Sequence, residues 1–487
     1  MSNNGKPTLH RNLSIWGAIG LSVALLGPSM AANINPQAPA GHVGRAVPLV
    51  FALSTVAVLL VAYGFVRLCQ NFAHAGSVYG FAGATLGPRT GFVAGWLLLA
   101  TYTAFIVCTT SGAALFFTGF LHSTGLWTGA NWLVPGTLSL LGVALLASRP
   151  AVTATKVLLA LEIITMVAIL VLAVVVLIKI GLGDVPRGQH LTTSIFTLPP
   201  DMPTSGLLFA MTFGFLSFAG FEAASTLGEE TRNPRRAIPI ALLGTVILAG
   251  VFFVVVTSAE ALGFGTDAQG IADLIASPSL MGDLASTYVG SWLGPAVTLG
   301  AAISAFASAL ACTVGASRLL FAMGRDGFGH PSLGRVRQSD GVPQAAVGTT
   351  LIVVALAFVL LRLFATADVT DIFFWAATIG SLALMAAYAL CLIGATRFLL
   401  SRGRRPAQVL ECVIPLLGLL AIGFILYTNI YPVPEAPYSL FPYLVAAWLL
   451  VGLLIVVLVP GLAARIGEQF IEDEAVTEQT VSPAPHR

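Results

Sequence analysis

Two carboxylates stand inside long apolar stretches of this 487-residue chain. Glu162 lies in LLALEIITMVAIL, and Glu222 lies in GFLSFAGFEAAS. A charged side chain at the centre of a bilayer costs at least roughly 2.5–3.5 kcal/mol, so an acidic residue there is a candidate functional group. Such a group can take up and release a proton, or it can pair with a cation. The alternative for each is a protonated carboxyl group that hydrogen-bonds between helices.

The composition indicates an all-α integral membrane protein and excludes a soluble globular one. Hydrophobic residues make up 57% of the chain, charged residues only 9%, and the mean hydropathy is +0.91. Soluble proteins carry about 25% charged residues. Reading windows of about 19 residues, we predict twelve transmembrane helices. They cover residues 14–35, 46–69, 91–120, 131–148, 153–181, 205–228, 237–262, 290–320, 343–364, 370–396, 407–430 and 440–464.

The distribution of positive charge predicts that both termini are cytoplasmic. Of the 23 lysine and arginine residues, only Arg45, Lys179, Arg187 and Arg362 fall on the other side of the predicted spans. Loops rich in lysine and arginine face the cytoplasm. The even number of predicted spans also places both termini on the same side of the membrane. Lysine is rare, which favours a GC-rich bacterial source.

Two of the predicted spans carry a helix-breaking sequence near their middle. The first span, SIWGAIGLSVALLGPSMAAN, contains Gly27-Pro28-Ser29, and the sixth contains Ala219-Gly220. A break at Pro28 would free the amides of Ser29, Met30 and Ala31 to meet an anion, although a simple proline kink is the alternative. Interrupted helices five spans apart are typical of transporters built from inverted repeats.

Three stretches resemble the amino acid–polyamine–organocation (APC) superfamily of secondary transporters. They are AGSVYGFAGATLGPRTGFVAGW (75–96), FLSFAGFEAASTLGEETRNPRRAIPIAL (215–242) and ASALACTVGASRLLFAMGRDGFGHPSL (307–333). Many amino acid transporters of the superfamily have Gly-x-Gly where this chain has Gly27-Pro28-Ser29. The putrescine importer branch also has a proline near this point and shares Gly95-Trp96 and Tyr102.

The resemblance implies a five-plus-five inverted repeat (LeuT-like) with helices 1 and 6 broken, followed by two extra helices. On this basis the transporter domain spans residues 14–464, with the first repeat at 14–181, the inverted second repeat at 205–396 and the extra helices at 407–464. The segment 1–13 would be a cytoplasmic N-terminal segment, and 465–487 a disordered cytoplasmic tail.

The resemblance also implies roles for particular residues. A substrate would lie against the two breaks and the third span, Glu162 would exchange a coupling proton, and charged or aromatic residues would form a gate. Glu222 would either pair with a substrate ammonium or brace the break. The expected substrate-binding residues are Gly27, Pro28, Ser29, Met30, Ala31, Tyr102, Ser217, Phe218, Ala219, Gly220 and Glu222, and the expected gate residues are Phe215, Glu230, Arg232 and Arg325.

We therefore expect a secondary transporter of the cell membrane that imports an amino acid or related small amine by proton symport and alternating access. A polyamine or ethanolamine importer and an amino acid exchanger are the alternatives. An enzyme is not expected, because the seven histidines are isolated and neither an HExxH nor a Walker A motif occurs. We expect no cofactor, metal or nucleic acid, and a monomer or homodimer in the lipid bilayer.

Overall fold

The computed structural model describes residues 15–72, 77–149, 152–227, 233–339, 341–364, 367–402, 411–459 and 461–467, and within these ranges the chain is helical and contains no strand. The predicted segment 1–13 and most of the predicted tail 465–487 lie outside these residues. The helices are α1 (Ile15–Leu26), α2 (Pro28–Ile34), α3 (Gln37–Val43), α4 (Val47–Asn71), α5 (Ser77–Leu86), α6 (Pro88–Ser123), α7 (Leu133–Ala147), α8 (Val152–Leu182), α9 (Thr204–Ser217), α10 (Pro234–Phe264), α11 (Ala268–Ala276), α12 (Leu280–Tyr288), α13 (Leu293–Arg325), α14 (Gln344–Phe364), α15 (Val369–Arg402), α16 (Val413–Thr428) and α17 (Phe441–Leu458).

Eight helical segments of the described chain are long and apolar enough to cross a membrane, and they correspond to α4, α6, α8, α10, α13, α14, α15 and α17. Four shorter apolar helical segments are Ser22–Ile34, Leu133–Ala147, Thr204–Ser217 and Val413–Thr428. Each of the twelve predicted spans overlaps one of these twelve segments. Of the shorter segments, Ser22–Ile34 contains the first predicted break, and Thr204–Ser217 ends just before the second.

The helices α6, α13 and α15 form the centre of the molecule. The most apolar windows of these helices are 83%, 72% and 72% buried, against 22% in both α14 and α17, which lie at the periphery. Glycines allow the central helices to approach closely. A Cβ atom at Gly315 of α13 would lie 3.3 Å from the Tyr102 ring of α6, and one at Gly380 of α15 would lie 2.5 Å from Phe105. The third span is thus held between two neighbours.

A pair of tryptophans attaches α17 to the central helix α6. The indole N–H of Trp96 donates to the carbonyl of Trp448 at 2.8 Å, and the indole N–H of Trp448 donates to the carbonyl of Trp96 at 2.9 Å. The two rings stack with centroids 4.5 Å apart. Both buried donors are therefore satisfied, and the last helix has a fixed register against the core.

Candidate functional site

The first helix is interrupted at Gly27, between α1 and α2. Gly27 has φ +57 and ψ 54, a left-handed conformation that glycine adopts without a steric penalty. α2 begins at Pro28, at the first helical position, where its missing amide costs least. The hydroxyl of Ser308 donates to the carbonyl of Leu25 at 2.9 Å, so a carbonyl left bare by the break is satisfied from α13.

The amides at the start of α2 already have partners within the protein. The Ser29 amide donates to Oε1 of Glu162 at 2.9 Å, and the Met30 amide donates to Oγ of Ser304 at 3.1 Å. The Ala31 amide donates to the carbonyl of Gly27 at 2.9 Å. In this conformation the side chain of Glu162 therefore occupies the place in which the sequence predicts an anion.

Glu162 combines one satisfied oxygen with one unsatisfied oxygen. The residue is 2% exposed, and its Oε2 atom is buried with no hydrogen-bond partner in the described structure. The hydroxyls of Ser29 and Ser304 lie beside this carboxyl group, and Oγ of Ser29 is also buried without a partner. If Oε2 carried a proton, its O–H group could donate a hydrogen bond to the hydroxyl oxygen of Ser29.

The second interruption lies where the sequence predicts it, at Ala219-Gly220. α9 ends at Ser217, Gly220 has φ +102, and the chain continues as a 3-10 helix over Phe221–Leu227. A Cβ atom at Gly220 would lie 2.5 Å from the side chain of Leu25, so glycine is needed for space as well as for backbone conformation. The two breaks are therefore in direct contact.

Glu222 braces the second break. Its Oε2 atom accepts the phenol O–H of Tyr388 on α15 at 2.5 Å and the amide of Gly220 at 3.1 Å. The side chain is 1% exposed. The carboxyl group thus joins α15 to the unwound backbone and gives the buried amide of Gly220 an acceptor.

A cavity of about 30 Å³ lies between the two breaks and the third span. It is too small for an amino acid, so binding one requires the cavity to widen. Its lining is mainly apolar and contains one carboxyl group, that of Glu222. The lining residues are Leu25, Leu26, Met30, Asn35, Thr101, Tyr102, Phe105, Cys108, Thr109, Leu216, Ala219, Gly220, Glu222, Ser308, Cys312 and Leu384.

The structure brings some of the predicted substrate residues to this cavity and places others beside it. Met30, Tyr102, Ala219, Gly220 and Glu222 line it, whereas the remaining predicted residues do not. The ones outside the lining are Gly27, Pro28, Ser29, Ala31, Ser217 and Phe218.

Two of these outside residues have structural contacts. Ser217 accepts the side-chain amide of Asn35 at 2.7 Å, and the ring of Phe218 contacts that of Phe253 at 5.7 Å between centroids. In this conformation, Ser217 holds the side chain of Asn35, which lines the cavity. Phe218 packs in the hydrophobic core.

The structure describes two of the four predicted gate residues, and these two lie on different helices, α9 and α13. Glu230 and Arg232 lie outside the described residues. Phe215 is buried on α9 and does not line the cavity. Arg325 lies 3.6 Å from its neighbour Asp326, measured from Nε to Oδ1.

Tyr79, which the sequence analysis did not single out, forms a hydrogen bond at the end of α13. The phenol O–H of Tyr79 on α5 donates to Oδ2 of Asp326 at 2.5 Å. Asp326 follows α13 directly and is buried. The contact therefore joins the segment between the second and third spans to the end of the eighth.

Glu260 is a buried acidic residue that the sequence analysis overlooked, although it falls inside the predicted span 237–262. It lies on α10 and is fully buried, and both of its carboxyl oxygens lack a hydrogen-bond partner among the described residues. Its position in an apolar run was the sequence feature that could have identified it as a buried carboxyl group. Glu260 does not line the cavity between the breaks.

We expect Glu260→Leu to leave the thermal stability unchanged or to raise it. A buried polar group without a partner costs about 1–3 kcal/mol, and an apolar side chain of similar size removes that cost. Thermal unfolding of the purified variant in detergent measures the effect. Glu222→Leu is the matched control, because it removes a carboxyl group with two partners and should lower the unfolding temperature. A clear loss of stability in Glu260→Leu would show that this carboxyl group has a favourable partner.

A helical membrane protein with a central cavity between two interrupted helices is typical of the small-molecule transporters. The comparisons with known proteins agree with this class. The sequence profile of the amino acid permease family matches residues 18–472. The chain belongs to the amino acid permease family, which confirms the resemblance to the APC superfamily, and it is a transporter and not an enzyme.

Individual relatives and a solved structure are also similar to this chain. The branched-chain amino acid permease BcaP of Bacillus subtilis (strain 168) is 27% identical over 71% of this chain and 74% of its own length. The low-affinity putrescine importer PlaP of Escherichia coli (strain K12) is 28% identical over 67% of this chain and 69% of its own. The crystal structure of MhsT in complex with L-phenylalanine has a TM-score of 0.58 at 16% identity, covering 84% of this chain and 98% of that one, so the two proteins share a fold.

Proposed function

We propose that this protein imports an amino acid or a closely related small amine across the cell membrane by proton symport, through alternating access around the cavity between the two breaks. The observation that carries the proposal is the buried carboxyl group of Glu162. It holds the amide of Ser29 at the first break and keeps a second oxygen without a partner.

The surroundings of Glu162 provide for both protonation states. As a carboxylate it accepts the Ser29 amide, a charge-assisted hydrogen bond. With a proton on Oε2 it can also donate to the Ser29 hydroxyl beside it. A proton can therefore change how firmly Glu162 holds the start of α2, and α2 contributes Met30 to the cavity lining. This arrangement supports coupling between the proton and the site.

The cavity lining favours a zwitterionic amino acid over a polyamine. A doubly charged amine should meet two carboxylates, and Glu222 is the acidic residue of the lining while Glu162 lies outside it. Apolar side chains and the rings of Tyr102 and Phe105 line most of the rest. These features suit a substrate with an apolar side chain, in agreement with the branched-chain specificity in the name of BcaP.

We further propose twelve membrane crossings in a five-plus-five inverted repeat, with both termini cytoplasmic. In such a repeat the second span corresponds to the seventh and the third to the eighth. Here α4 packs against α10 and α6 against α13, which supports direct pairing of the counterparts. The inner gate would then include the contact between Tyr79 and Asp326, while roles for Phe215, Glu230, Arg232 and Arg325 stay predictions.

Ligand-induced stabilisation tests the substrate proposal. Purified protein is heated with amino acids, polyamines or ethanolamine, and a ligand at 100 times its dissociation constant adds about 2.7 kcal/mol to the folded state. We expect the unfolding temperature to rise with neutral amino acids. A rise confined to di- and polyamines would contradict the proposal and favour the polyamine importer. Stabilisation by amino acids without any uptake driven by a pH gradient would favour the exchanger.

A further inference from the structure

Asn33 occupies a fully buried position on α2, one turn beyond Ser29. Its side-chain amide donates to the carbonyl of Ser29 at 2.8 Å. Its Oδ1 atom accepts two hydrogen bonds, from the hydroxyl of Ser279 at 2.8 Å and from the amide of Met281 at 3.1 Å. The Asn33 side chain therefore donates within α2 and accepts from residues at the start of α12.

The two donors belong to the connection between α10 and α13, which we call the lid and define as residues 268–288, the helices α11 and α12 with the turn between them. Ser279 immediately precedes α12, and Met281 lies in its first turn. The hydroxyl of Thr298 on α13 donates to Ser279 at 3.1 Å. α12 buries Leu280 and Leu284 against the core, so the lid is anchored at the end of α2 that points away from the break.

These contacts form a continuous path from Glu162 to the lid. The carboxyl group of Glu162 holds the amide of Ser29, and Asn33 holds the carbonyl of the same residue. Asn33 then holds the first turn of α12. Because α2 is a single short helix of seven residues, a displacement at Ser29 must be transmitted to Asn33 or break these bonds.

We propose that Asn33 is a positioning residue that couples the carboxyl group of Glu162 to closure of the lid. The inference rests on the proposed function, in which Glu162 exchanges the coupling proton and the lid lies on the outer side. A change at Glu162 alters its hold on Ser29, α2 moves as a unit, and Asn33 carries that movement into α12. Asparagine suits this position because it offers an adjacent donor and acceptor.

Hydrogen exchange of α12 at a single pH tests the coupling on the full-length protein. Glu162→Gln stands in for the uncharged carboxyl group, so the pH need not vary and the titration of Asp283 on α12 does not interfere. We expect Glu162→Gln to change the exchange rates of the α12 amides by at least about threefold, the effect of one hydrogen bond of ordinary net strength. In the Asn33→Ala background the same substitution should change them by less than about 1.5-fold.

Gln37→Ala is the matched control. Gln37 also holds the lid, since its side-chain amide donates to the carbonyl of Ser277 at 2.5 Å, but it lies on α3 and not on α2. We expect Gln37→Ala to accelerate exchange in the lid and to keep the full response to Glu162→Gln. If Asn33 only stabilised the lid, Asn33→Ala would also accelerate exchange in the lid and keep the full response to Glu162→Gln.

Two outcomes would overturn the inference. One is an unchanged response to Glu162→Gln in the Asn33→Ala background, and the other is no response of α12 to Glu162→Gln in the native background. If Asn33→Ala does not fold, Ser279→Ala removes one of the two lid donors and should at least halve the response, and a full response would again overturn the inference. Loss of gradient-driven uptake in Glu162→Gln is scored separately, so a failure of proton symport and a failure of the lid coupling are distinguishable.

Discussion

Glu162→Gln is expected to abolish substrate accumulation driven by a pH gradient while leaving substrate exchange across the membrane intact. The glutamine carbonyl can still accept the amide of Ser29, which Glu162 now accepts at 2.9 Å, so the start of α2 keeps a partner, although the bond is weaker without the charge of a carboxylate. The ability to bind and release a proton is lost. With one proton per substrate, a gradient of two pH units can drive accumulation of about 100-fold, since each unit is worth about 1.36 kcal/mol.

The measurement is uptake into proteoliposomes with and without a pH gradient, beside counterflow of labelled substrate at equal pH. We expect the variant to equilibrate substrate without accumulating it. Ser304→Ala is the matched control, because it removes the acceptor of the Met30 amide and leaves the titratable carboxyl group of Glu162 in place. The control should accumulate substrate more slowly but still respond to the gradient. Unchanged accumulation in Glu162→Gln would remove Glu162 from proton coupling.

Glu222→Ala is expected to impair the transport of every substrate and to lower the thermal stability. The substitution leaves the hydroxyl of Tyr388 and the amide of Gly220 without their shared acceptor. Each buried group left unsatisfied costs roughly 1–3 kcal/mol, and both lie at the break that forms the cavity. Glu222→Gln should restore most of the stability, because an amide oxygen can accept both bonds.

Glu222→Gln also separates a bracing role from direct contact with a substrate ammonium. Bracing predicts that counterflow retains its apparent affinity in Glu222→Gln, whereas direct pairing predicts a loss of at least about tenfold, since hydrogen bonds to charged groups contribute about 1.5–3 kcal/mol. Tyr388→Phe is the companion variant, because it removes the donor alone. A tenfold loss in Glu222→Gln with normal affinity in Tyr388→Phe would assign Glu222 to the substrate. The structure favours the bracing role, because Glu222 already holds two donors.

Much of the fold could be predicted from local sequence. Gly27-Pro28 and Ala219-Gly220 sit in apolar runs, and both break the helix because of their own backbone properties, with φ of +57 at Gly27 and +102 at Gly220. Long apolar runs predicted the ends of the long helices to within six residues. These features depend on short stretches of chain, and neighbouring helices do not change them.

The partners within the site could not be predicted in the same way. Ser29 and Glu162 are 133 residues apart, and Glu222 and Tyr388 are 166 apart. No local pattern indicates that a carboxyl group from the fifth span reaches the amides of the first. The sequence therefore predicted that these amides meet an anion, but it assigned that anion to a substrate. Glu260 was overlooked because it lies two residues before the end of the predicted span 237–262, where local sequence does not indicate that a side chain is buried.

The size of the cavity between the breaks has a consequence for leakage. A cavity needs a volume of about 10–15 Å³ to hold one water molecule. The cavity of about 30 Å³ therefore has room for two. If the empty protein changes its side of access from this conformation, as the proposed mechanism requires, it carries no more than about two water molecules across the membrane with each cycle. A hydrated ion is larger and does not fit this cavity, so the charge that an empty cycle could move is a proton bound to a buried carboxyl group such as that of Glu162.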